Sequence, residues 1–267
     1  MAQFREFLCE CDSELRWEDV DRELIRAWVM RLMEDGIQPS TVNTKLCSIR
    51  AFYRFLLLTG RMTTDPARHV QGPKRPKTLP TFMRDKDMNR LLEIMSEGEV
   101  TFESSRNRLI ILLLYLTGVR RGELIGLNIA DVDTQVCQLK VTGKRNKQRI
   151  IPFGAELRDA IDEYKALRAR VRYADARALL INNKGARMDE SQVAKVVRDA
   201  LGLVTTQKKR TPHVLRHTFA TSMLNGGADL QNVKELLGHE SVATTEIYTH
   251  ATFNQLREVY RKAHPRA

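Results

Sequence analysis

Residues Gln71 to Pro80, QGPKRPKTLP, constrain the fold more than any other stretch of the chain. Three prolines and a glycine remove backbone donors and fix φ, so neither helix nor strand passes through them. The chain should therefore fold in two parts, residues 1–72 and 81–267, joined by a linker over 73–80. A length of 267 residues is enough for two modest cores. Lys74, Arg75 and Lys77 make the linker basic, which suits a connector between two lobes gripping a polyanion.

The first part has the pattern of helices. Leu24, Ile25, Trp28, Val29 and Leu32 recur at helical spacing, so Val20 to Met33 forms an amphipathic helix ended by Gly36. A second helix opens at Pro39-Ser40, with Ser40 as its cap, and runs to about Leu58. Its apolar stripe includes Leu46, Ile49, Tyr53 and Leu56. The aromatic residues here are expected in a core, not as stacking platforms. Charge is uneven: residues 1–39 carry five arginines against ten acids, whereas residues 40–72 carry five cations against one acid. Lys45, Arg50 and Arg54 lie roughly along one side of the second helix. They suit either a phosphate backbone or a solvated face.

Beyond the linker, a helix should include Asp87 to Met95. Arg106 to Thr117 contains the apolar run Leu109 to Leu116, too short to span a bilayer and apolar enough to require burial. Directly after it comes VRRGEL. Charges placed there are expensive unless paired, and Glu123, three residues past Arg120, can pair with it. Val136 to Pro152 has the pattern of a β-hairpin whose turn carries Lys144, Arg145, Lys147 and Arg149. Helices follow at Ala155 to Arg172 and Glu190 to Leu201, then Lys208, Lys209 and Arg210. Pro212 starts another helix, and Asp229 caps the next, which ends at Leu237-Gly238. The result is a mostly α chain with a small β-sheet.

The chemistry concentrates between Thr211 and His250. His213, Arg216 and His217 fall within five residues, His239 follows a Leu-Gly turn, and Tyr248 lies nine residues later. A tyrosine, with an ordinary pKa of about 10, attacks only when a base takes its proton and cations steady the developing charge. Arginine suits the non-bridging oxygens of a phosphodiester, because its planar fork binds two oxygens and is always protonated. HVLRH lacks the glutamate of a zinc helix, and an arginine beside a ligand opposes a cation. The chemistry thus calls for no metal and no cofactor. His217 is best read as a helix-surface or supporting residue.

A formal net charge of +11 points to a polyanionic partner or to a lysine-rich solvated surface. The four cysteines (Cys9, Cys11, Cys47, Cys137) form no CxxC pair, and no basic-then-apolar leader is present. The expectation is a soluble cytoplasmic protein.

TGVRRGEL, GKRNKQR, HVLRH and LLGHESVATTEIYTH, in this order, resemble the tyrosine recombinase (lambda integrase) family, in its XerC/XerD branch. The resemblance extends to the final AHPRA. It implies a C-shaped clamp, with a helical core-binding domain and a mixed α/β catalytic domain on opposite sides of double-stranded DNA. By the same resemblance, Arg120 and Arg216 bind the scissile phosphate and Lys144 protonates the departing 5′ oxygen. Tyr248 forms a 3′-phosphotyrosine, His213 positions or deprotonates it, His239 hydrogen-bonds the phosphate, and Glu123 supports the arginines. Lys45, Arg50, Arg54, Lys74, Arg75, Lys77, Arg145, Lys147, Arg149, Lys208, Lys209 and Arg210 are candidate DNA contacts. Four protomers would hold two duplexes and exchange a C-terminal helix cyclically. Asn254 to Lys262 is the candidate helix, with Leu256 and Val259 as anchors. A paralogous recombinase and a DNA translocase activator are further implied partners. Relatives carry another helical segment before the position matching Phe4, so the first domain is expected to be short at its start. The implied role is chromosome dimer resolution at a dif-like site. The alternatives are an integrase or transposase of a mobile element, a binding protein with a lapsed site, and a metal-dependent nuclease.

Overall fold

The computed structural model describes residues 1–74, 81–143, 146–238 and 250–266. The fold is mostly helical with one small sheet. It divides into two units, Met1–Leu79 and Pro80–Ala267.

In the first unit, α1 (Ala2–Cys11), α2 (Arg22–Glu34) and α3 (Pro39–Leu58) enclose an apolar core. The Asp21 carboxylate accepts from the Leu24 N–H at 2.8 Å and starts α2. Gly36, at φ +75°, turns the chain out of it. Helix α3 begins at Pro39, with Gln38 at its cap position and no side-chain cap. Ser40, expected as the cap, therefore sits inside the first turn. Proline's fixed φ starts the helix without a cap, because its missing N–H needs no partner there. Leu46, Ile49 and Tyr53 are fully buried, and Phe4 meets Trp28 with ring centroids 4.9 Å apart. The Tyr53 hydroxyl donates to the Trp17 carbonyl at 3.3 Å, and burial raises its pKa well above the ordinary value. The aromatic residues here are core, with Phe55 as an exposed exception.

The second unit is built around α5 (Phe102–Thr117). Its residues Leu109 to Thr117 are buried on every side. Each such leucine contributes roughly 1.5–3 kcal/mol when removed from water. The helix starts one turn before Arg106, because Thr101 and Ser104 form a reciprocal capping box. It ends at Gly118, φ +60°, where an added Cβ would lie 2.5 Å from the Phe219 ring. Around it pack α4 (Asp85–Ser96), α7 (Ala155–Arg168), α8 (Glu190–Gly202) and α9 (Pro212–Asn225). Helix α7 stops at Arg168, short of Arg172, and the Arg168 guanidinium donates to the Ala178 carbonyl at 2.8 Å.

Two further helices, α6 (Arg121–Gly126) and α10 (Leu230–Leu237), flank the sheet β1 (Val132–Asp133), β2 (Gln138–Thr142) and β3 (Gln148–Pro152). The strands run antiparallel in that order, with Leu139 opposite Ile151. The hairpin was expected; β1, only two residues long, carries no periodic signal. Asp229 caps α10 by accepting from the Gln231 N–H at 2.9 Å.

Helix α11 (His250–Ala263) starts earlier than Asn254 and packs against α9, α10 and β3. Leu256, expected as an anchor in a neighbouring protomer, is buried in this chain's own core with Tyr260 and Ala263, and Val259 packs partly against it. An exchange of this helix would swap one set of contacts for an identical set. Among the described residues, no helix is long and apolar enough to cross a membrane.

Candidate active site

Arginines brought together from three separate elements form the site. Arg120 precedes α6, Arg149 lies on β3, and Arg216 lies on α9. Glu123, on the first turn of α6, sits among them and is 8% exposed. Its Oε2 accepts the Arg120 backbone N–H at 2.8 Å, and its Oε1 accepts from Arg120 Nη1 at 2.7 Å. Arg149 grips the same carboxylate with both ends of its fork, at 2.9 and 2.9 Å. Burial pushes the Glu123 pKa up, but the Arg149 fork and the Arg120 bonds outweigh it, leaving the carboxyl at about 2.

The C-terminal end of α10 supplies the other half of the frame. Its last carbonyls lack intrahelical partners and carry the negative end of the helix dipole. Arg149 Nε donates to the Leu236 carbonyl at 2.8 Å, and Arg216 Nη2 to Leu237 at 2.8 Å. Arg120 Nη2 donates to Gly238 at 2.9 Å. Three successive carbonyls thus each hold a different arginine. Arg216 also donates to the Gly118 carbonyl at the end of α5. Gly238 has the left-handed φ of +65° that favours glycine, and an added Cβ would press on the Arg149 side chain, 3.1 Å from Nη1.

Electrostatically the cluster is under-compensated, with three guanidinium groups facing one carboxylate. The Arg216 pKa falls to about 10, first through burial and then through the charges of Arg120 and Arg149. Arg216 remains protonated at neutral pH. Only Arg120 stands well out of the protein, its side chain 41% exposed. His213 is exposed near the start of α9, its ring 4.3 Å from that of His217 in an edge-on contact. Partial loss of hydration, then His217 and Arg216, lower its pKa, so it is neutral at pH 7. Such a set can hold an anion against arginines while a neutral imidazole accepts a proton.

Of the sequence candidates, Arg120, Glu123, His213 and Arg216 lie in this unit, and Glu123 joins Arg120 to Arg149. Lys144, His239 and Tyr248 lie outside the described residues, as do Arg75, Lys77 and Arg145. Arg149, expected as a DNA contact on the hairpin, is buried in the cluster instead. The missed signal was period two: Arg149 shares a strand face with buried Ile151. Arg50 is half-buried, and its Nη2 donates to the Val70 carbonyl at 2.5 Å. Lys45 is partly covered and bonds to Gln3. Arg54, Lys74, Lys147, Lys208 and Lys209 are exposed, and Arg210 is half-buried.

A model of the phage integrase family matches residues 81–255, and a model of the phage integrase N-terminal SAM-like domain matches residues 1–60. The chain belongs to the phage integrase family. A relative named tyrosine recombinase XerC, from Chlorobaculum tepidum, is 38% identical over all of this chain and 87% of its own. The crystal structure of XerA recombinase shares 31% identity with a TM-score of 0.55, covering all of this chain and 92% of that one. The XerH recombinase bound to a palindromic difH substrate, in a post-cleavage complex, covers 94% of this chain and 75% of its own. It has a TM-score of 0.75 at 22% identity, which speaks for the fold alone. As a member of this family the chain is a site-specific tyrosine recombinase, an enzyme that cuts and rejoins DNA strands.

Proposed function

We propose that this recombinase works through Tyr248, in chromosome dimer resolution at a dif-like site, with the arginine cluster as its phosphate site. What carries the reading is the meeting of Arg120 and Arg216, 96 positions apart in the chain, on successive carbonyls at the end of α10. Tyr248 attacks the scissile phosphorus and displaces the 5′ oxygen, giving a 3′-phosphotyrosine. Negative charge rises on the non-bridging oxygens, and Arg120 and Arg216 stabilise it more in the transition state than in the ground state. His213, neutral at pH 7, takes or positions the tyrosine proton. Lys144 gives a proton to the departing oxygen, and His239 hydrogen-bonds the phosphate. The phosphotyrosine bond keeps the free energy of the diester, so rejoining calls for neither ATP nor a metal.

The partner is double-stranded DNA, contacted by Arg54, Lys74, Lys147, Lys208 and Lys209 among others. The working assembly is a tetramer on two sites, with α11 exchanged between protomers. A paralogous recombinase and a DNA translocase complete it, in the cytoplasm. The test is a nicked suicide duplex carrying a dif-like site, incubated in EDTA and run on a denaturing gel. Wild type should give a protein–DNA adduct, and Tyr248→Phe should give none while still shifting the duplex. An adduct that survives Tyr248→Phe, or that EDTA abolishes, would overturn the mechanism.

A further inference from the structure

We propose that Arg149 is a positioning residue for strand cleavage, acting through Glu123 and the end of α10; the inference rests on the recombinase reading above. Arg149 is 6% exposed and is therefore poorly placed to meet DNA itself. Two of its donors go to the group that holds Arg120, and the third goes to the carbonyl next to those that hold the other two arginines. Two N–H groups take the Glu123 carboxylate, which anchors Arg120 through both backbone and side chain. The third, Nε, takes the Leu236 carbonyl, the residue before the two carbonyls that hold Arg216 and Arg120.

The physical need for such a residue follows from the charge count. Arg120 and Arg216 repel one another, and both must keep donors aimed at a substrate phosphate. With only Arg120 as its partner, the buried Glu123 carboxylate would draw the whole Arg120 fork onto itself. Arg149 occupies both carboxylate oxygens, so the Arg120 guanidinium meets only Oε1, with a single Nη, and spreads its other Nη to Gly238. Because Arg149 lies on β3, it also fixes the base of the hairpin whose turn contains Lys144 to the element that precedes His239 and Tyr248. A lysine cannot reproduce this, since a point charge does not fork across a carboxylate while also reaching a carbonyl.

The test is single-turnover cleavage of the nicked duplex by the full chain, with the equilibrium Kd for the same duplex measured alongside. Arg149→Gln and Arg149→Lys should each lower the first-order rate of adduct formation at saturating protein by roughly ten- to a hundredfold, the usual effect of losing a group that orients a first contact. Kd should stay within about twofold of wild type, because the loss lies in the rate at saturation and not in binding. Adding Glu123→Gln to Arg149→Gln should recover part of the rate, because the amide no longer captures Arg120; a purely structural role predicts a further loss. Should Arg149→Gln fail to fold, as judged by its circular dichroism melt, Arg149→Lys carries the test. Wild-type rates in the folded Arg149 variants would overturn the inference, as would a loss expressed wholly in Kd. Failure of wild type itself to form the Tyr248 adduct would overturn the recombinase mechanism along with it.

Discussion

The two units bury different things. Among the described residues, every buried charged side chain lies in the second unit: Arg106, Glu123, Arg149, Arg168 and Arg216. The first unit buries aromatic and aliphatic groups and keeps its ion pairs outside. Arg31 and Glu10, for example, meet at 2.6 Å with both side chains half exposed. Surface pairs of this kind add little, because water screens them and holding two long side chains costs entropy. Buried ions cost several kcal/mol each to desolvate, and an apolar core would have been the more stable choice. The arginine cluster of the second unit is thus an arrangement that folding alone would not favour, as expected of the phosphate site proposed above. Among its described residues, the first unit buries no charged side chain and follows ordinary packing rules.

The largest test of this contrast is Arg216→Ala. Removing one transition-state charge stabiliser should slow adduct formation by roughly a hundred- to a thousandfold. Stability should change little, since the variant removes the desolvation cost of a buried guanidinium and its repulsion with Arg120 and Arg149, against the two carbonyls it leaves without a donor. A large loss of stability in a denaturant titration would mean that the cluster is a scaffold and not a site. In the first unit, Leu46→Ala should cost about 2–5 kcal/mol by leaving a cavity. Trp17 and Trp28, the only tryptophans, both belong to that unit, so their fluorescence reports its unfolding alone. An unchanged midpoint would mean that this core is looser than its burial suggests.

His264 sharpens the contrast through pH. It is 4% exposed, stacked on Tyr260 and against Phe219, and burial lowers its pKa to about 4. Unfolding frees it to take a proton that the folded chain refuses. Stability should therefore fall as pH drops from about 6.5 towards 4, by at most about 1.4 kcal/mol per unit. His264→Phe should flatten that part of the curve relative to wild type, and parallel curves would show that the histidine is already charged when folded. The smallest effect is expected from Arg31→Ala, which should leave the tryptophan-monitored midpoint within the scatter of the measurement. A clear shift would contradict the view that the first unit's surface pairs are idle.

Most of the helices were legible in the sequence, as was the pairing of Arg120 with Glu123. Prolines, glycines and apolar periodicity act locally, so they can be read without knowing the fold; α2, α3, α5 and α10 all followed from them. Glu123 could be tied to Arg120 because three residues separate them on one helical turn. Tertiary structure alone decided what lay beyond that reach. It placed Arg149 inside with Glu123, where its position in a basic turn suggested the surface. It tied Arg50 to Val70 and set Leu256 into the chain's own core. It also put Leu236, Leu237 and Gly238 under three arginines through backbone carbonyls that every residue possesses. Carbonyls carry no signature in a sequence, and a charge reveals its partner only when the fold brings distant elements into hydrogen-bonding range.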